Sequence, residues 1–238
     1  MYGKPPQQFT GHVPKRFWLI MALMCSLCLV APSMVQAQSE IKGETKDETK
    51  GDAKAGSRLY PACTSCHGAH GLGKVGMAGP KLAGLPGDYL LKQMQQFQTG
   101  ARGAAPGDHK GRQMAAMAKG PRLMREGNLE HLVAYIQTLP NKPVAKTVVG
   151  NAQRGQALYQ SCAACHGEGG QGIEAMGAPG LAGQSDWYLL AQLEHFAQGR
   201  RGYDPGDLLG KQMQGAVGVL LSPEDYVDVV AYINTLEP

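Results

Sequence analysis

The chain has 238 residues with 33 Gly and 6% aromatics, too few large side chains to fill two apolar cores unaided if the length is divided into two domains. Its 23 Lys and Arg stand against 19 Asp and Glu, a net charge of +4. That charge carries no nucleic-acid-binding fold with it, so nucleic acid is excluded as a partner.

The N-terminus reads as an export signal. Lys4, Lys15 and Arg16 flank an uncharged apolar run from Phe17 to Ala31, and Val35-Gln36-Ala37 supplies a small-residue cleavage site. The run is shorter than the roughly 20 residues that a membrane-spanning helix needs. Residues 1–37 are therefore expected to leave by cleavage before Gln38, placing the mature chain in the periplasm, and Cys25 and Cys28 leave with them. Residues 38–52 are charged and lack apolar periodicity, which predicts a flexible lead-in.

Cys63-Thr64-Ser65-Cys66-His67 and Cys162-Ala163-Ala164-Cys165-His166 each set two residues between a pair of cysteines and a histidine directly after. This is the attachment signature of c-type haem. Each thiol adds to one vinyl group of the same porphyrin, and the histidine is held under the iron. A zinc ribbon would space its Cys pairs about 15–20 residues apart; these are 99 apart. A thioredoxin-like dithiol does not require a histidine after both pairs. The motifs predict two covalently bound haem c groups, with Cys63, Cys66, Cys162 and Cys165 in thioether bonds and His67 and His166 as axial ligands. No cysteine is left for a disulfide, a catalytic thiolate or another iron ligand. The porphyrins also supply the apolar bulk that the side chains lack.

The two motifs sit in two copies of one unit. Adding 99 to a position in the first copy finds its counterpart in the second: Gly56 and Gly155, Pro80 and Pro179, Leu82-Ala83-Gly84 and Leu181-Ala182-Gly183, Phe97 and Phe196, Arg102 and Arg201. After Met114 and Met213 the second copy becomes two residues shorter. Two copies are too few for a solenoid and read as a duplicated domain, residues 53–140 and 150–238, joined by a linker at 141–149 that contains Pro143. Each copy reads as helices between Gly/Pro loops. Asp52 and Asn151 are N-cap candidates for a short first helix, and a second helix is expected from about Asp88 to Gln98 and from Asp186 to Gln198. Leu129, Leu132, Val133 and Ile136 mark a last helix, and Ser222-Pro223-Glu224-Asp225 is a strong start for its counterpart. No strand is expected.

A low-spin electron carrier needs a sixth iron ligand. Met77 and Met176 recur at one offset, as do Met114 and Met213, within Gly-(Arg/Lys)-Gln-Met strings. Met77 follows His67 too closely to cross the haem edge easily. Met114 and Met213 each lie 47 residues after their histidine, enough for a helix and a loop to wrap the porphyrin, and are the expected ligands. Met117 is the fallback for Met114. Thioether ligation raises the potential relative to nitrogen or thiolate ligands. His70, His109, His131 and His195 have no histidine counterpart in the other copy and are read as surface residues.

The duplicated Cys-x-x-Cys-His-Gly, the Pro-x-Leu-Ala-Gly string, the Tyr-Leu-Leu-x-Gln segment and the Gly-x-Gln-Met string resemble class I cytochromes c. The tandem arrangement resembles the dihaem cytochrome c4 family, over about residues 53–238. The resemblance implies an all-α chain of two tandem class I cytochrome c domains, pseudo-twofold related, with His/Met-ligated haems. It implies that Gly56 and Gly155 let the first helix cross closely over the last, against Tyr135 and Tyr232. It also implies that the carbonyls of Pro80 and Pro179 accept from Nδ1–H of His67 and His166, orienting the ligands. The expected role is a periplasmic carrier, with no small-molecule substrate, that moves electrons between redox proteins, for example to a membrane oxidase or other respiratory complex. Loose peripheral association with the membrane is compatible with it. The alternatives are a dihaem enzyme of peroxidase or thiosulfate-oxidising type, or a cytochrome subunit of a dehydrogenase or oxidase complex.

Charge divides unevenly between the copies. Residues 53–141 hold 11 Lys and Arg against 4 Asp and Glu, a net of +7; residues 150–238 hold 4 against 10, a net of −6. Such a dipole predicts two docking ends, the basic one for an acidic partner and the acidic one for a basic partner.

Overall fold

The computed structural model describes residues 51–237. The expected signal at 1–37 and nearly all of the lead-in at 38–52 lie outside them. Among the described residues the regular structure is helical, apart from two isolated antiparallel bridges, Lys74 with Gly79 and Ile173 with Ala178. No helix among them is long and apolar enough to cross a membrane.

The first half consists of α1 (Ala53–Ser57), α2 (Thr64–His67), α3 (Gly87–Thr99), α4 (His109–Ala118) and α5 (Asn128–Ile136). The second consists of α6 (Ala152–His166), α7 (Asp186–Ala197), α8 (Leu208–Val217) and α9 (Pro223–Ile233). The expected first helix is continuous in the second half only. In the first half it breaks into α1, a 3-10 turn at Tyr60–Cys63 and α2. Pro61 stands where the second half has Gln160, and a proline inside a helix removes a donor and clashes with the preceding turn. The caps are built from local side chains: Asp52 accepts from the amide of Lys54 (2.8 Å), Asn151 from Arg154 (3.0 Å), and Ser222 with Asp225 forms a reciprocal capping box.

Each half is held by its first helix crossing its last. A Cβ on Gly56 would lie 1.9 Å from the carbonyl oxygen of His131, and one on Gly155 1.9 Å from that of Asp228. Only glycine permits so close an approach. Around these crossings lie two clusters. Tyr60, Leu90, Leu132, Val133 and Ile136 form one, and Tyr159, Leu189, Leu220, Val229, Val230 and Ile233 the other. Each large side chain buried there contributes roughly 1.5–3 kcal/mol. Tyr60 and Tyr159 tilt against Tyr135 and Tyr232 with ring centroids 5.2 Å apart in both halves.

Helices α4 and α8 were not expected from periodicity. Their caps are Asp108, which accepts from the amide of Gly111 (2.7 Å), and Asp207, which accepts from Gly210 (3.0 Å). The linker is fastened at its end: the buried carboxylate of Asp186 accepts from the amide and hydroxyl of Thr147 and the amide of Val148.

The halves meet through α3 and α7 and the loops after them. Arg102 and Arg201 are both buried, and each lies over the phenylalanine of its own half, 4.5 Å from the Phe97 ring centroid and 4.3 Å from that of Phe196. Arg102 donates to Gln93 (2.6 Å) and across to Gln192 (3.1 Å); Arg201 donates to Gln192 (2.9 Å) and across to Gln93 (3.1 Å). Arg102 also donates to the Tyr188 hydroxyl (2.8 Å). Burial and the facing Arg102 push the guanidinium of Arg201 below its ordinary pKa. Lys81 donates to the carbonyl of Gly183 (2.8 Å), and Gln184 returns a bond to the carbonyl of Lys81 (3.0 Å). Tyr203 accepts from the amide of Ala104 (3.0 Å) and donates to the carbonyl of Gly100 (2.6 Å). Not every unpaired histidine is a free surface residue. His195 is mostly buried, with Nδ1 3.9 Å from Asp108 across the halves, and His131 accepts from the amide of Asp52 (2.9 Å).

Candidate haem sites

The cysteines and histidines arrive on one stretch of chain in each half. Cys63 ends the 3-10 turn, Cys66 and His67 lie on α2, and Cys162, Cys165 and His166 lie on the last turns of α6. All four cysteines are half-buried, whereas both histidines are buried. Burial pushes the Cys63 thiol up to about 11, with Cys66 adding to the effect, and raises Cys162 in the same way. These are not the low-pKa thiolates of a dithiol redox centre.

Directly after each histidine the chain reverses at a glycine with positive φ, Gly68 at 77° and Gly167 at 79°. The amides of Gly73 and Gly172 return to the carbonyls of His67 (2.9 Å) and His166 (2.8 Å). The hydroxyls of Tyr60 and Tyr159 donate to the carbonyls of Gly68 and Gly167, both at 2.8 Å. The isolated bridges close the loop and bring the Pro80 and Pro179 carbonyls to the imidazoles. Nδ1 of His67 is 2.8 Å from the Pro80 carbonyl, and Nδ1 of His166 is 2.9 Å from that of Pro179. A carbonyl only accepts, so Nδ1 carries the proton and Nε2 keeps its lone pair for a metal. Burial lowers both histidine pKa values against the opposing pull of those carbonyls, favouring the neutral, ligating imidazole.

The methionines come from a different layer. Met114 on α4 is half-buried and packs with Met94 against Phe97, Ala115 and Ala118. Met213 occupies the corresponding place on α8 and is half-buried as well. Met117 faces outward on α4 with 46% exposure, and Met77 and Met176 sit exposed at the tips of the loops after the histidines. The donor set therefore fits covalent haem c. Two paired cysteines, one imidazole with Nε2 available and one half-buried thioether occur in each half. The charged and amide cluster between the halves was missed from sequence. The available signal was the repeated Gln and Arg at one offset, Gln93 with Gln192 and Arg102 with Arg201.

A family model described as cytochrome c matches residues 53–140 and again 152–237. The chain is 32% identical to a protein named "Thiosulfate dehydrogenase electron acceptor" of Stutzerimonas stutzeri (strain A1501), covering 63% of this chain and 69% of that protein. It is 30% identical to cytochrome c4 of Azotobacter vinelandii, over 78% of this chain and 89% of the relative. Among solved structures, reduced recombinant cytochrome c4 from Pseudomonas stutzeri superposes with a TM-score of 0.60 at 30% identity, covering 79% of this chain and all of that one.

Proposed function

The chain belongs to the cytochrome c family, as a tandem dihaem member of the cytochrome c4 group, and from that premise we propose that it is a periplasmic carrier delivering single electrons from a redox enzyme to a respiratory complex such as a terminal oxidase. It binds two haem c groups covalently. When bound, haem c supplies a reversible one-electron iron couple.

The chain's own residues do the rest. Cys63, Cys66, Cys162 and Cys165 hold the porphyrins. His67 and His166 are the proximal ligands in this reading, each oriented by a proline carbonyl and by the tyrosine-pinned loop behind it. Met114 and Met213 are the sixth ligands. The observation that carries the proposal is the equivalence of the halves: the same His–Pro bond and a half-buried methionine at the same helix position occur in both. An enzyme would set one haem apart with an open sixth position. The relative named as an electron acceptor of thiosulfate dehydrogenase makes an enzyme oxidising reduced sulfur the favoured donor.

The test is a carbon monoxide difference spectrum of the dithionite-reduced, mature holoprotein. Carbon monoxide binds ferrous haem only where the sixth position is open or weakly held. No spectral change is expected. Binding at about one haem per chain would overturn the carrier reading in favour of an enzyme.

A further inference from the structure

The outward face of α4 and the loop that follows it differ from the equivalent surface on α8. Lys110 and Arg112 on α4, and Lys119, Arg122 and Arg125 on the loop, are all exposed. Among them Met117 and Met124 are 46% and 57% exposed. None of these five cations has a carboxylate within 4.0 Å among the described residues. The matching surface of the second half exposes Leu208 (73%), Val219 (51%) and Leu221 (88%) with Lys211 as its cation.

The basic loop is also held in place. Gln98 at the end of α3 donates to the carbonyls of Ala118 (3.0 Å) and Leu123 (3.2 Å), and Asn128 donates to that of Arg122 (2.6 Å). The second half has Ala197 in place of Gln98 and a loop two residues shorter. Its negative charge is partly internal. Asp186, Asp207, Asp225 and Asp228 are buried, two of them on Arg154 and the others on backbone amides. The acidic side chains that stay exposed in the second half, among them Glu168, Glu174, Glu194 and Glu224, lie off α8.

We propose that the outward face of α4, with the loop from Lys119 to Arg125, docks an acidic patch of a redox protein, and that the α8 face takes no part in that contact. The inference rests on the electron-carrier reading. Met114 borders this face, four residues after Lys110 and three before Met117, a spacing that puts neighbouring side chains roughly 5–6 Å apart at Cβ, so a partner seated there lies close to the proposed ligand. The cations steer the encounter, and the two flexible, exposed methionines supply adaptable apolar contact. Pinning the loop beforehand lowers the ordering cost of binding.

The experiment is voltammetry of the full holoprotein on gold bearing a carboxylate-terminated or a hydroxyl-terminated monolayer. The combined variant Lys110→Glu, Arg112→Glu, Lys119→Glu is compared with Leu208→Gln, Leu221→Gln and with a neutral set carrying Gln at the three basic positions. The parent should exchange electrons at the carboxylate surface at low salt and slow as salt rises. The charge-reversed variant should fall by about tenfold or more, the neutral set by less, and the leucine variant should match the parent. The proposal is overturned if the charge-reversed variant keeps the parent's rate or if the leucine variant falls as far. Parent exchange at the hydroxyl surface but not the carboxylate one also overturns it, while leaving the carrier reading intact. Exchange at neither surface removes the carrier reading and this proposal with it.

Discussion

Asp186→Ala should release the linker from the second half. The carboxylate is 1% exposed and accepts from the Thr147 amide and hydroxyl (the latter at 2.9 Å), the Val148 amide (2.7 Å), the Trp187 amide (2.7 Å) and the Asn234 side chain (3.2 Å). Thr147 is exposed and its donors can turn to water, whereas Val148 and Trp187 are half-buried. At about 1.5–3 kcal/mol for a hydrogen bond to a charged group, losing those two bonds costs about 3–6 kcal/mol. Asp186→Asn keeps one acceptor and should cost about half as much. Urea unfolding of the holoprotein followed by circular dichroism gives the loss, and limited proteolysis within residues 141–149 reports the freed linker. Burial raises this carboxyl's pKa, but the bonds from Val148, Thr147 and Trp187 outweigh it and hold the group below the usual carboxylate value. A carboxyl held low in the folded state contributes stability that is fully present above its unfolded pKa, about 3.9. That contribution disappears as pH falls through the lower folded value. The difference between parent and Asp186→Asn should thus be constant near neutrality and shrink below about pH 4. An alanine variant within about 0.5 kcal/mol of the parent, with an equally resistant linker, would refute the argument.

Other substitutions test other joints. Gly155→Ala forces a Cβ to within 1.9 Å of the Asp228 carbonyl oxygen. It should cost about 3 kcal/mol of overpacking, against a gain of about 1 kcal/mol in helix propensity, seen as a lower melting temperature of the second half. Met114→Ala and Met213→Ala should each open one haem to carbon monoxide, giving half of the full difference spectrum, while Met117→Ala should open none. Tyr203→Phe removes the hydroxyl that links Ala104 to Gly100 and should weaken the contact between halves by about 1 kcal/mol, read as faster hydrogen exchange at the Ala104 amide.

Short-range signals read well from the chain. The Asp52, Asn151 and Ser222 caps each rest on a side chain two or three residues from the amide it satisfies. The helix expected from Asp88 to Gln98 runs Gly87–Thr99. Helices α4 and α8 escaped because Gly111 and Gly210 sit in their first turns and their apolar residues are not confined to one buried face, Met117 and Leu208 being exposed; the readable hint was an aspartate three residues ahead of each glycine. The Pro61 break was legible in retrospect as a proline missing from the other copy. The buried Arg102 and Arg201 were not legible, since long charged side chains ordinarily mark solvent and only a three-dimensional neighbour can bury them. The burial of Asp186, Asp207, Asp225 and Asp228 was hidden for the same reason, so part of the second half's acidity lies inside while Glu168, Glu174, Glu194 and Glu224 stay exposed.

The crossed bonds of Arg102 and Arg201 have an evolutionary consequence. Gln93 and Gln192 each serve the arginine of their own repeat and that of the other. A substitution at any one of the four disturbs both repeats at once, so these positions should drift together or not at all, although the sequences around them are free to diverge. A gene encoding one repeat alone would deprive Arg102 of Gln192 and Tyr188, or Arg201 of Gln93. A single repeat would meet water at this face instead, and its arginine would be solvated rather than buried.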